Sequence, residues 1–116
     1  MVAAGCERIV NIADVAGLGP WRGFTAHSVA KAGVVMLTRS LAQTLAPAVT
    51  VNAIAPGTVL MPEGASEGAT RRSIEKTVLE RVGSPDDVAR ALRYLLEADY
   101  VTGHVLVVDG GRLVRP

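Results

Sequence analysis

Two kinds of apolar run divide the chain. Arg8-Ile9-Val10-Asn11-Ile12 and Val49-Thr50-Val51-Asn52-Ala53-Ile54 are β-branched and apolar without alternation. That is the pattern of strands covered on both faces, as in a parallel sheet. Val105 to Val108 is a third such run, closed by the turn Asp109-Gly110-Gly111. Between the first two, residues 25–45 follow a helical pattern in which Lys31 and Arg39 are the only formally charged side chains. A helix apolar nearly all round is expected to be buried on more than one face. Pro47 stops it. Gly17, Gly19, Pro20 and Gly23 make residues 13–23 a loop.

Residues 58–83 are mixed and read as a long loop carrying a helix near Ser73 to Glu80. Ser84-Pro85-Asp86-Asp87 is a helix start, with a cap, a proline at the first helical position and acids in the first turn. Val88, Ala91, Leu92, Leu95 and Leu96 then form one stripe, and the helix frays near Asp99. Met1 to Glu7 resembles the tail of a helix. The order strand, helix, strand, helix, strand predicts an α/β fold of parallel strands with right-handed crossovers.

Composition narrows the functions. Of 116 residues, 49% are hydrophobic and 20% charged, with a formal net charge of +1. So much apolar side chain argues against a disordered tail, and so even a charge against a polyanion partner. Aromatic residues are 3% of the chain, too few for base-stacking platforms, so no nucleic acid is expected. No run approaches the roughly 18 apolar residues of a membrane helix. Met1-Val2-Ala3-Ala4 lacks the basic lead of a signal peptide. Cys6 is the single cysteine and cannot form an internal disulfide, which fits a reducing cytoplasm.

Three polar residues sit where strand end and helix meet. Asp14 follows the first strand, on the edge where open α/β sheets bind ligands. His27 and Lys31 are four apart on one helix face. Lys31 stands in a helix with almost no other charge, so an anionic or hydroxyl-rich partner is expected for it. Alternatively, Lys31 reaches out to solvent and His27 only begins the helix. A hydrolase triad from Asp14, His27 and Ser28 is disfavoured, because Ser28 adjoins His27 on a helix and no Gly-x-Ser-x-Gly elbow exists. His27, Asp14 and His104 lack metal-ligand spacing, so no metal is expected. Trp21 reads as a loop anchor, Arg71-Arg72 as a solvated face, and Asp109-Gly110-Gly111-Arg112 as a turn.

These stretches, taken in order, resemble the C-terminal half of the short-chain dehydrogenase/reductases. They are Arg8-Ile-Val-Asn-Ile12, His27-Ser-Val-Ala-Lys31-Ala-Gly, Leu37-Thr-Arg-Ser-Leu-Ala42, Val51-Asn-Ala-Ile-Ala-Pro-Gly57, Gly83-Ser-Pro-Asp-Asp-Val-Ala89, and Tyr100-Val-Thr-Gly103 through Val108-Asp-Gly-Gly111. The resemblance implies the C-terminal half of a Rossmann-type doubly wound parallel sheet. Residues 1–116 would then be a partial NAD(P)-binding domain without its N-terminal dinucleotide-binding half. The family's catalytic Tyr-x-x-x-Lys falls on His27 and Lys31, so histidine replaces tyrosine. The family's catalytic serine falls on Asp14, and its helix asparagine before residue 1. Pteridine reductases are similar in having aspartate there, and Ala55-Pro-Gly-Thr-Val-Leu-Met-Pro-Glu-Gly64 resembles the bacterial pteridine-reductase-like branch. Met61 stands where the family has a cofactor-contacting threonine.

The resemblance implies hydride transfer between NADP or NAD and a small carbonyl or imine, which leaves a negative charge that needs a proton. A tyrosine needs a neighbouring lysine to ionise near neutrality, whereas an unperturbed histidine titrates at about 6.5. The expected roles follow. His27 donates, Asp14 orients it or binds a substrate nitrogen, and Lys31 anchors the nicotinamide ribose. Pro56, Gly57, Thr58 and Val59 offer contacts to the cofactor. No Gly-rich phosphate loop follows a strand anywhere in the chain, so a truncated form with weak or no cofactor binding is expected. The helix over 25–45 is expected to pack on its mate in a homo-oligomer. The alternative is a non-catalytic fragment or interaction module using the exposed sheet edge and the apolar helix.

Overall fold

A computed structural model describes residues 7–116. The features anticipated for Met1 to Ala4 and Cys6, and most of the helix tail up to Glu7, lie outside the described residues. Three strands form one parallel sheet: β1 (Glu7–Ile12), β2 (Val49–Pro56) and β3 (Val105–Val108), in the spatial order β1-β2-β3. Glu7 itself opens β1, with Cα partner Val49, so it is strand and not helix tail. β2 runs two residues past Ile54, because Ala55 and Pro56 still find partners in Val107 and Val108.

Helix α1 (Thr25–Leu45) covers one sheet face and α3 (Pro85–Glu97) the other; the shorter α2 (Glu67–Glu75) lies between β2 and α3 in the chain. Alternation along the strands sorts the core. Val49, Val51, Ala53 and Ala55 meet Val35, Ala42 and their neighbours on α1, while Ile54 meets Ala91 and Leu95 on α3. With both faces covered, every residue of β2 from Val49 to Ala55 is buried.

Buried polar groups fix the layers. Asn11 Nδ2 donates to Thr38 Oγ1 at 3.1 Å, and that hydroxyl donates to Val34 O at 2.8 Å. Asn52 is 1% exposed; its Nδ2 donates to Val101 O and its Oδ1 accepts from His104 N, aligning β3 with β2. Satisfying both ends of a buried amide is what makes it tolerable there.

Two further expectations are corrected. The second helix covers 67–75, not 73–80. Ser66 caps it by accepting from Ala69 N at 3.0 Å, with Glu67 in the first turn. Beyond Lys76 the chain is drawn off, because Val78 N and Leu79 N both donate to Gly110 O and Glu80 takes a φ of 58°. Second, α1 is buried on one face only. Val35, Thr38 and Ala42 face the sheet, while Val29, Met36 and Leu37 are 67%, 61% and 50% exposed in the single chain.

Candidate functional site

The site begins where β1 ends. Ala13 N donates to Ile54 O at 2.8 Å, carrying the pairing one residue beyond the strand. Asp14 then turns the chain. Its Oδ1 accepts from Ala16 N at 2.8 Å, capping a single 3-10 turn over Val15–Gly17. Val15 and Ala16 are buried. Gly17 allows the turn to press on α1: a Cβ there would stand 2.6 Å from the backbone carbonyl carbon of Lys31, closer than atoms tolerate.

That close approach brings the predicted residues together. His27 Nε2 lies 3.6 Å from Asp14 Oδ2, with the side chains 42% and 26% exposed. The distance is an ion-pair separation for an imidazolium and too long for a hydrogen bond. Lys31, one helical turn on, donates from Nζ to Ile12 O at 3.2 Å. An anionic or hydroxyl partner was expected for Lys31, but a carbonyl at the strand end takes that place. One N–H of three is used, so the ammonium keeps donors for a ligand.

Pro56, Gly57, Thr58 and Val59 stand at the end of the neighbouring strand. Gly57 N donates to Val108 O at 2.9 Å, and Thr58 O accepts from Gly83 N at 3.0 Å. A Cβ on Gly57 would come within 3.0 Å of Asp109 Cβ. Among the described residues no acceptor takes the Val59 N–H. Thr58 and Val59 line a cleft of ≈ 360 Å³ with Arg81, Asp87 and Val107, which Asp14, His27 and Lys31 do not line. The predicted residues therefore form two groups, one at each of two adjacent strand ends.

The helix start at Ser84 is built around Asp87. Ser84 N donates to Asp87 Oδ2 at 2.8 Å, and Arg81 and Arg90 lie at 3.4 and 3.0 Å. The Ser84 amide bond does most to hold the Asp87 carboxyl below its ordinary 3.8; partial burial opposes this, and Arg81 and the Ser84 hydroxyl add to it. Arg71 and Arg72 are exposed, as a solvated face requires. Trp21 anchors its loop by packing on Phe24 and Arg112. The role of Gly17 and the contact of Arg112 with Trp21 were not anticipated. The only sequence signal for either was a glycine in a glycine-rich loop and a lone arginine after a turn.

Among the described residues no group of three or more His, Cys, Asp or Glu stands ready for a metal, and no helix is long and apolar enough to cross a membrane.

The parallel sheet, the helix on each face and the cluster at the strand ends define an α/β fold of Rossmann type. A family model described as enoyl-(acyl carrier protein) reductase matches residues 1–112. The chain belongs to this family, the short-chain dehydrogenase/reductases. It is 38% identical to a 3beta-hydroxysteroid dehydrogenase 1 of Eggerthella lenta, over 99% of this chain and 52% of the relative. With a 3-oxoacyl-[acyl-carrier-protein] reductase of Bos taurus the identity is 42%, over 89% of this chain and 44% of the relative. A short-chain dehydrogenase from Leptospira borgpetersenii, solved with bound NAD+, superposes with a TM-score of 0.83 at 30% identity, over 90% of this chain and 44% of that one. The chain thus spans about half the length of the relatives it matches.

Proposed function

We propose that these residues form the substrate-side half of an NAD(P)-dependent oxidoreductase that reduces a small C=O or C=N compound, with pteridine-type rings the first class to try. The convergence of Asp14, His27 and Lys31 at the end of β1 carries the reading. Membership of the short-chain dehydrogenase/reductases supports it.

The residues fit one end of a nicotinamide cofactor. Lys31 has ammonium donors to spare for ribose hydroxyls, and the free Val59 N–H, with Pro56, Gly57 and Thr58 beside it, suits a carboxamide. When bound, the nicotinamide supplies or accepts the hydride. The pyrophosphate end needs a Gly-rich loop at a helix N-terminus, which these 116 residues do not contain. NADP and NAD are therefore both retained, because the residues that would separate them belong with that loop.

His27 holds the proton. Its neutral N–H or its imidazolium can donate to the oxygen or nitrogen that gains charge as hydride arrives. Asp14 faces Nε2 at 3.6 Å and steadies the imidazolium, and substrate binding would tighten that distance. Lys31, tied to Ile12 O, would hold a nicotinamide ribose through its remaining ammonium donors, one helical turn from His27. The exposed apolar face of α1 (Val29, Met36 and Leu37) suits a second copy of the chain, and the single cysteine suits a reducing cytoplasm.

The test is hydride transfer from NADPH or NADH to a panel of ketones, imines and pterins. It uses a polypeptide that carries these residues together with a Gly-rich half. His27→Ala is expected to lower the transfer rate at least about 100-fold. A rate within a few-fold of the parent would remove His27 from the chemistry. The 116-residue chain alone is expected to show no micromolar binding of NADPH by calorimetry, and tight binding would overturn the assignment of the pyrophosphate site to other residues.

A further inference from the structure

The first turn of α1, where His27 sits, does not hold itself. Its N-cap is Phe24, with no side-chain cap bond, and no acidic residue stands in the first turn. The loop before it does the holding. Trp21 O accepts from Phe24 N at 3.0 Å, and Trp21 N donates to the hydroxyl of Ser28, the residue next to His27, at 3.4 Å.

Trp21 is held in turn by the other end of the chain. The Arg112 guanidinium lies 4.2 Å from the centroid of the Trp21 ring, and Phe24 meets that ring edge-on at 6.1 Å. Arg112 opens a single 3-10 turn, Arg112–Val114, locked to β3 by Asp109, whose carboxylate accepts from Gly111 N at 2.8 Å and Leu113 N at 2.9 Å. Leu113 Cδ2 closes on the loop 3.6 Å from where a Cβ on Gly19 would stand. An unbroken series of contacts therefore runs from the end of β3 through Asp109, Arg112 and Trp21 to Ser28, the neighbour of His27. At 3.6 Å, the His27–Asp14 separation sits just beyond hydrogen-bond range, so a small rotation of the first turn decides whether the two groups engage.

We infer that Arg112 is a positioning residue, which by stacking on Trp21 sets the first turn of α1 and so the approach of His27 to Asp14. The kinetic consequence rests on the reading of that pair as the proton-donating group; the coupling itself does not.

The protein provides its own reporters. Trp21 is the single tryptophan, and His27 and His104 are the two histidines. His104 precedes β3 with its N–H on Asn52, and so serves as the control. Trp21 emission and the two imidazole resonances are to be recorded for the full chain, Arg112→Ala and Arg112→Lys. Arg112→Ala is expected to shift the Trp21 emission and the His27 resonance and to leave His104 in place. Arg112→Lys, which keeps a cation over the ring, returns both signals toward the parent. If Arg112→Ala does not fold, Arg112→Gln replaces it, losing the cation while keeping much of the length.

A His27 resonance unmoved by loss of the cation would overturn the inference, whether or not Trp21 responds. So would a shift of His104 equal to that of His27, since it would mean general loosening. In a polypeptide able to transfer hydride, the same variant is expected to lower kcat about tenfold with the cofactor KM unchanged. Failure of the parent to transfer hydride would count against the proposed function, while the resonances would still decide the coupling.

Discussion

The two long helices solve the same packing problem differently. α3 carries its own stabilising devices: a proline at its first turn, Asp86 and Asp87 beside it, the Asp87 carboxylate on the Ser84 amide, and Ala91 and Leu95 buried on the sheet. α1 has none of these at its N-terminus. It is positioned by its neighbours, through Gly17 against Lys31, Trp21 against Ser28 and Asp14 opposite His27. A helix whose start is fixed by its surroundings places its first turn where the sheet edge requires it. Of the residues proposed for the chemistry, His27 and Lys31 lie on α1 and Asp14 faces its first turn, while α3 packs on the other face of the sheet.

If α3 is the structural helix, removing its most deeply buried side chain should do the most damage. Leu95 is fully buried against Ile54 and Ala91. Leu95→Ala is expected to cost about 3 kcal/mol in chemical denaturation, combining lost transfer energy with the cavity left behind. A cost below 1 kcal/mol would mean that α3 is not what holds the sheet.

Gly17→Ala attacks the other arrangement. Its Cβ meets backbone, which cannot swing aside as a flexible side chain does, so the turn or α1 must shift. A cost of about 2 kcal/mol is expected, in the range of overpacked interiors. The decisive reading is the imidazole resonance of His27, which should move here and stay put in Leu95→Ala variants that remain folded. Equal movement in both would erase the distinction between the helices.

The contrast explains what could be read in the sequence. Runs covered on both faces gave three parallel strands, and Pro85 with its acids marked the start of α3, because these features act locally. The bounds of α1 were legible for the same reason, from its period and from Pro47 just after it. The second helix was misplaced because the signals at 73–80 are charges, whereas the chain there is decided by the Gly110 carbonyl more than thirty residues away. Asp14, His27 and Lys31 were found by topology and resemblance. The contacts that position them, Gly17 on Lys31 and Arg112 on Trp21, join segments that no local pattern relates. The second face of α1 was expected to be buried, and in the single chain it is open.

The Asp87 arrangement predicts a smaller effect, confined to α3. Its carboxyl titrates below the ordinary 3.8 when folded, chiefly through the Ser84 amide, so the folded state favours the ionised form. This contribution is complete above the ordinary carboxylate range and is lost as pH falls through the lowered value. Asp87→Asn should therefore lie below the parent in stability by a constant margin from neutrality down to about pH 5, with the margin closing at lower pH. Denaturation series at several pH values would show it. A margin independent of pH down to the acid limit would assign the effect to helix geometry and not to charge.

The smallest change in stability is expected on the open face of α1, where it says most about assembly. Met36 is 61% exposed, so Met36→Gln removes little buried area within one chain and should alter its stability by no more than about 0.5 kcal/mol. If Val29, Met36 and Leu37 meet a second copy, the same change introduces a polar amide at the centre of an apolar contact, where it must be desolvated without a partner. Sedimentation should then show the associated species giving way to monomer at concentrations where the parent stays associated. Unfolding of the variant monomer should remain as cooperative as before. A parent that sediments as a monomer at all concentrations would leave α1 with one working face, and the difference between the two helices would reduce to how their first turns are held.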